Sequence, residues 1–109
     1  MIPRSKAICV AGIGTAYSGN LEFMNSENSC LVDYELVPVR KGEYLYDDSR
    51  FRWAEPDLDQ AAHYMRRLAD DADFRNRIAY QGQRDVRSRF TPAATAALLR
   101  RRLLELGLI

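Results

Sequence analysis

Residues 57–107 read DLDQAAHYMRRLADDADFRNRIAYQGQRDVRSRFTPAATAALLRRRLLELG, and this stretch decides the fold of the C-terminal half. Apolar residues recur in it at the three- and four-residue spacing of helices that bury one face. The spacing is broken at Asp70-Asp71, and it restarts after Thr91-Pro92, an N-cap residue followed by proline at the first helical position. The stretch therefore predicts three successive helices.

Each predicted helix has its own cap and its own apolar face. Asp57 with Gln60 forms a capping-box pattern, Asp73 is placed to cap the second helix, and Gly107 is placed to end the third. The predicted faces are Leu58, Ala61, Ala62, Met65, Leu68 and Ala69, then Phe74, Ile78, Gly82, Val86 and Phe90, then Ala96, Leu99, Leu103 and Leu106.

The N-terminal half is typical of strands and loops. Residues 6–11 (KAICVA) form a short apolar run ended by glycine, which predicts a buried strand. Residues 29–39 (SCLVDYELVPV) predict a second strand that Pro38 ends, and residues 41–53 predict an excursion or a hairpin. Two strands are a marginal sheet, and parallel strands need cover on both faces, so the sequence indicates part of a larger sheet.

Composition excludes several classes of protein. The 109 residues suit one small domain, and 47% hydrophobic with 28% charged residues argues against disorder. Sixteen basic against fifteen acidic side chains give a net charge of +1, which argues against a dedicated nucleic-acid binder. Two cysteines make no disulfide framework, and no apolar run approaches the roughly 20 residues that span a bilayer. The expected compartment is the cytoplasm.

The glycine-rich segment after the first predicted strand does not match a dinucleotide fingerprint. Gly12 and Gly14 are followed by Tyr17 where a third glycine is needed, so turn glycines are the favoured interpretation. The loop over residues 15–20 has the composition of segments that present backbone N–H groups to anions, and a surface turn is the favoured alternative.

No constellation of catalytic or metal-ligating residues is evident. Asp33 and Glu35 alternate along a predicted strand and would share a face, where solvated acids are the ordinary outcome. His63, the only histidine, lies off the apolar stripe of its helix, and Cys9 and Cys30 are expected to be buried thiols. Neither a zinc site nor a catalytic triad is supported.

Residues 15–109 resemble the C-terminal end of a group-1 (family 4) glycosyltransferase of the two-domain GT-B type. The resemblance rests on four pieces in order: TAYSGNLEFM (15–24), ENSCLVDYELVPVRKGEY (27–44), WAEPD (53–57), and the helical stretch with its M-R-x-L-x-D-D and F-T-P patterns. Each piece is weak by itself, whereas the joint order is specific. It covers about nine tenths of the chain.

The resemblance implies a partial Rossmann-like donor domain, with short parallel strands followed by three C-terminal helices. It implies transfer of a sugar from a nucleotide-sugar to an acceptor hydroxyl, with retention. Ser18, Gly19, Asn20 and Glu22 match positions that line the donor side of the family. The resemblance implies no metal and no further cofactor. Lipid-linked acceptors in the family imply peripheral association with a membrane.

The chain also departs from the family. The two glutamates, separated by seven residues, that address the donor sugar and ribose have no match, nor has the basic pair that grips the diphosphate. Residues 1–14 fit poorly, whereas residues 15–56 and 57–109 follow the pattern within one partial domain. We therefore expect a truncated or frameshifted reading frame, no catalytic residue, and no sugar transfer by this chain alone.

Two other functions stay open. Residues 57–109 carry ten arginines against seven acids, which suits a small non-catalytic protein-interaction module with Arg-rich helices. A phosphate or nucleic-acid binder is the less favoured third. A glycosyltransferase remnant should expose a sheet edge and self-associate through it.

Overall fold

Two small sheets and three helices make up the structure. The computed structural model describes residues 9–45 and 50–109. The elements are β1 (Ile13–Thr15), a 3₁₀ helix (Ser18–Glu22), β2 (Cys30–Val32), β3 (Tyr34–Pro38), β4 (Arg52–Pro56), α1 (Leu58–Asp70), α2 (Ala72–Arg89) and α3 (Pro92–Glu105). The predicted α/β class with three C-terminal helices is confirmed.

The first sheet is a parallel pair. β1 lies beside β2 with Ile13 opposite Cys30 and Thr15 opposite Val32. The predicted parallel pairing is therefore confirmed. The predicted first strand over residues 6–11 is wrong in its described part, residues 9–11. Residues 6–8 lie outside the described residues, and Cys9 has a φ of 63°, which is incompatible with extended backbone. Two strands form the whole of this sheet within the described residues, and the finer Rossmann-like class stays a prediction.

The second sheet is an antiparallel hairpin. β3 pairs with β4, with Tyr34 opposite Pro56 and Pro38 opposite Arg52. Within residues 41–53, predicted as an excursion or a hairpin, only Arg52 and Trp53 of the described residues belong to the paired strands. The single strand predicted over residues 29–39 is wrong, because Asp33 divides it. The backbone of Asp33 instead bonds the start of α1: its N–H donates to Gln60 Oε1, and its carbonyl accepts from Asp57 N at 2.8 Å.

One of the two hydrogen bonds of the capping box predicted for α1 is present. Asp57 accepts the backbone N–H of Gln60 on its side chain at 3.0 Å, as predicted. The side chain of Gln60 does not return to Asp57; its Nε2 donates to Asp33 Oδ2 at 3.2 Å. The second bond of the predicted capping box, from the backbone N–H of Asp57 to the side chain of Gln60, is wrong. That N–H donates to the carbonyl of Asp33 instead.

The other two helices begin and end at polar or glycine residues. Asp71, rather than the predicted Asp73, caps α2 by accepting from Phe74 N at 3.0 Å, because only Asp71 has extended backbone at that end. Thr91 caps α3 by accepting from Ala94 N at 3.1 Å, as predicted. Gly107 follows α3 with a φ of 71°, the left-handed conformation that ends helices.

The core is small and lies where α1 and α2 meet the parallel pair. Buried Cys30, Phe74 and Ile78 form its centre, with Ala11, Tyr64 and Leu68 packed against them. The buried face predicted for α2 is confirmed at Phe74, Ile78, Gly82 and Val86, and Phe90 is half-buried.

The face predicted for α1 is confirmed in part, and the face predicted for α3 is largely wrong. Ala61, Ala62 and Leu68 are half-buried, and Leu68 packs against the core. Leu58 and Met65 are 71% and 63% exposed, because Tyr64, which lies outside the predicted face, also reaches the core. In α3, Leu99 and Leu106 are 60% and 54% exposed, and no residue of the helix is buried.

The chain exposes more surface than a closed domain of its size. Its radius of gyration is 17.8 Å, against about 13 Å for a compact domain of this length. Its accessible surface is 8400 Å², against about 6200 Å² for a compact monomer of this mass. Within the part of the chain that the structure describes, no helix is long and apolar enough to cross a bilayer.

Candidate functional site

The candidate site is the loop that follows β1, over residues 16–22. Ligands of open α/β sheets bind beyond the carboxyl ends of parallel strands, and this loop leaves the carboxyl end of β1. Tyr17 N donates to Thr15 O at 2.7 Å, so the chain turns away immediately after the strand. The 3₁₀ helix Ser18–Glu22 then begins without a side-chain cap.

Ser18 and Gly19 form the open side of this loop. Both are exposed, and a Cβ built on Gly19 would meet no atom within 4 Å. Ser18 has a φ of 67°, the left-handed region that costs a non-glycine residue energy. A ligand can therefore approach the backbone here without displacing any side chain.

Asn20 points inward and closes the loop. Its Nδ2 donates to Thr15 O at 2.8 Å, and its backbone carbonyl accepts from Met24 N at 2.9 Å. These bonds tie the 3₁₀ helix back to the end of β1. Any contribution of Asn20 to donor binding is therefore through the shape of the loop.

Glu22 lies apart from the open side of the loop. It lines a groove of 630 Å³ between the 3₁₀ helix and the start of α3, together with Arg89, Leu98 and Arg101. The Glu22 carbonyl accepts from Arg89 Nη2 at 3.4 Å. Of the four residues matched to the donor side, Ser18 and Gly19 therefore share the open side of the loop. Asn20 points inward, and Glu22 lines a separate groove.

An aromatic pair at the carboxyl edge of the sheet was missed by the sequence reasoning. The rings of Tyr17 and Tyr34 lie 4.9 Å apart between centroids, tilted by 58°. Each tyrosine is the second residue after a strand of the parallel pair, which is the signal that would have found them. Both side chains stay exposed, so the pair offers an aromatic surface beside the loop.

Acidic residues collect next to Tyr34. Asp33, Glu35, Glu55 and Asp57 line a cavity of 320 Å³ with Tyr34 and Pro56. The prediction that Asp33 and Glu35 lie on one strand is wrong, because Asp33 lies between β2 and β3 and holds Gln60, although both acids line this cavity. Across residues 9–45 and 50–109, no group of three His, Cys, Asp or Glu residues could hold a metal ion.

The remaining chemistry-bearing side chains are ordinary. His63 is exposed on α1, as predicted. Cys30 is buried, also as predicted, whereas the burial predicted for Cys9 is wrong because this thiol is only half-buried.

Comparison of the chain with protein-family models, curated proteins and solved structures finds no match.

Proposed function

We propose that residues 15–109 form the donor side of a two-domain, retaining glycosyltransferase of the GT-B type. In this proposal they are a partial Rossmann-like domain that binds a nucleotide-sugar at the carboxyl edge of a parallel sheet. One observation carries it. TAYSGNLEFM resembles a strand-to-helix segment of the family's donor domain, and β1 runs directly into the 3₁₀ helix Ser18–Glu22 there.

The order of the other elements supports the same proposal. ENSCLV ends in β2, which pairs in parallel with β1. WAEPD spans the end of β4 and the N-cap Asp57, which fits its place at the opening of a helix.

The chemistry expected of this segment is binding and charge stabilisation. Backbone N–H groups of the open loop at Ser18 and Gly19 are suited to the diphosphate, whose charge rises as the sugar leaves. The exposed rings of Tyr17 and Tyr34 are suited to stacking on a nucleobase. The paired glutamates and the basic pair of the family have no match here, so we expect this chain to transfer no sugar.

Titration of the ¹⁵N-labelled chain with UDP-glucose and GDP-mannose tests this proposal. We expect amide shifts at Ser18 and Gly19 with one of these donors, and no turnover. Gly19→Asp should abolish the shifts, because it adds a negative charge in open space beside the diphosphate. Ala93→Asp is the matched control, since it adds the same charge on the exposed first turn of α3. Shifts confined to other regions, or equal loss in both variants, would contradict the proposal.

The proposal also includes self-association of the chain and its association with a membrane. The β1–β2 pair has no third strand among the residues described, so we propose that it self-associates or is completed through its edges. Peripheral association with a membrane follows from the lipid-linked acceptors of the family. Both are tested by sedimentation of the chain, alone and with anionic vesicles.

A small non-catalytic interaction module is the second candidate, and α3 favours it. Leu98 and Leu99 are exposed at the centre of this helix, next to Arg100. A module should unfold cooperatively by itself, and it should lose its partner when Leu99 becomes Gln. Shifts at Gly19 with a nucleotide-sugar would decide against it.

A further inference from the structure

One face of the β3–β4 hairpin carries the only tryptophan of the chain. Trp53 lies opposite Val37 in the antiparallel register, and Glu55 shares its face two residues along β4. The indole is half-buried and borders two adjoining cavities, of 710 and 450 Å³. Volumes of this size are those of small-molecule sites.

The rim of the larger cavity is polar and charged. Arg40, Glu43 and Glu55 line it beside Trp53, Val37 and Pro38. A tight turn fixes the glutamate at the rim: Glu43 N donates to Arg40 O at 3.1 Å, and Glu43 Oε2 accepts from Arg40 N at 3.1 Å. Within the described residues, the guanidinium of Arg40 and the carboxylate of Glu55 form no ion pair with each other or with a third residue.

We propose that this face binds a neutral saccharide whose pyranose ring lies against the indole of Trp53. The face of an aromatic ring is negative, and the axial C–H bonds of a pyranose are weakly positive, so the two attract. Hydroxyl groups both donate and accept hydrogen bonds. The carboxylates of Glu43 and Glu55 accept such bonds, and the guanidinium of Arg40 donates them.

The charges around the indole disfavour other ligands. An anion would meet Glu43 and Glu55 at the rim of the larger cavity. A cation would meet Arg40 and Arg52, which line the two cavities. A protein partner would have to bury the carboxylates of Glu43 and Glu55 at the centre of the contact, where protein interfaces are depleted of glutamate.

The proposal goes beyond the donor-side function and does not depend on it. None of the cavity residues belongs to the loop over residues 16–22, so failure of either proposal leaves the other standing. Nucleotides distinguish the two proposals, because the loop over residues 16–22 should bind them and the face that carries Trp53 should not.

Fluorescence tests the proposal directly, since Trp53 is the sole tryptophan. The probes are methyl pyranosides, maltose and cellobiose, with UDP and tetramethylammonium as the comparison ligands. We expect a saturable change in emission with at least one saccharide in the millimolar range, and protection of Trp53 from acrylamide quenching. The comparison ligands should cause neither effect. No response to any saccharide, or a response to tetramethylammonium, would overturn the proposal.

A pair of variants separates binding from an indirect effect on the hairpin. Glu55→Gln should weaken saccharide binding about fivefold, because it replaces a charged acceptor at the rim. Glu35→Gln is the control: it removes the same charge from the cross-strand neighbour, which does not line the larger cavity. Circular dichroism of each variant checks that the fold is kept. Equal weakening by the two variants would contradict a site at Glu55.

Discussion

Asn28 donates its side-chain amide to Asp85, with Nδ2 2.7 Å from Oδ2, and this bond ties the segment before β2 to α2. Asn28 is fully buried at 0% exposure. Its Nδ2 also donates to Phe23 O at 3.1 Å, and its Oδ1 accepts from Asn25 N and from Ser29 Oγ, each at 2.8 Å. One amide thus joins the β1–β2 connection to a helix far along the chain, which makes it a candidate determinant of how α2 docks.

Replacing Asn28 with Asp should destabilise the chain strongly. The substitution keeps the shape of the side chain, but it turns an oxygen toward Asp85 Oδ2 and Phe23 O, where a donor is needed. We expect a loss of about 3 kcal/mol in the free energy of unfolding, measured with urea. Asn25→Asp is the control, because Asn25 Oδ1 only accepts bonds, from Glu27 N and Asn28 N. Equal losses would contradict the role of the amide.

Replacing Asp71 should cost more than replacing Asp73. Asp71 connects two helices: its N–H donates to Arg67 O at 2.9 Å at the end of α1, and its carboxylate caps α2. Asp71→Ala should reduce the free energy of unfolding by about 1 kcal/mol. Asp73→Ala, in the first turn without a cap role, should cost about 0.5 kcal/mol or less. Thermal and urea unfolding of both variants checks the ranking, and the reverse order would show that the cap is misassigned.

A methyl group added at Gly14 should destabilise the chain, because it would clash with the side chain of Met24. Gly14 lies within β1, rather than in a turn, and a Cβ there would approach Met24 Cε to 2.7 Å and Sδ to 2.9 Å. Met24 is buried, so its side chain has to shift, and Gly14→Ala should cost about 1–2 kcal/mol. The cost should shrink in a Met24→Ala background, because the contact is then absent. An additive double-mutant cycle would contradict this packing.

The sequence predicts local structure of this chain better than its packing. Thr91-Pro92, Asp57 and Gly107 determine helix ends through their own backbone and side-chain chemistry, so the three helices could be predicted. The exposed side of a helix depends on which elements are present to cover it. Leu58 and Met65 have the spacing of a buried stripe and are exposed, whereas Leu68 of the same stripe and Tyr64 outside it reach the core.

The candidate site was predicted only in part, for a related reason. The polar, glycine-centred composition of residues 15–20 predicts a surface turn, with an anion-binding loop as the alternative, and Ser18 and Gly19 are exposed in it. The inward direction of Asn20 could not be predicted, because it depends on where the carbonyl of Thr15 lies at the end of β1. Tyr17 and Tyr34 meet only through the parallel register, which joins residues distant in sequence.

Ser18 offers a final test, in which stability and binding should change in opposite directions. Its φ of 67° is a conformation in which glycine has no Cβ penalty, so Ser18→Gly should raise the free energy of unfolding by about 0.5–1 kcal/mol. Backbone strain of this kind is retained where a side chain contributes to function. We therefore expect Ser18→Gly to weaken the nucleotide-sugar shift at Gly19 although it stabilises the chain. Ser18→Ala should weaken the shift equally without any gain in stability, because its Cβ keeps the strain. Urea unfolding and the ¹⁵N titration measure the two effects separately, and full binding by the alanine variant would remove the Ser18 hydroxyl from the proposed donor site.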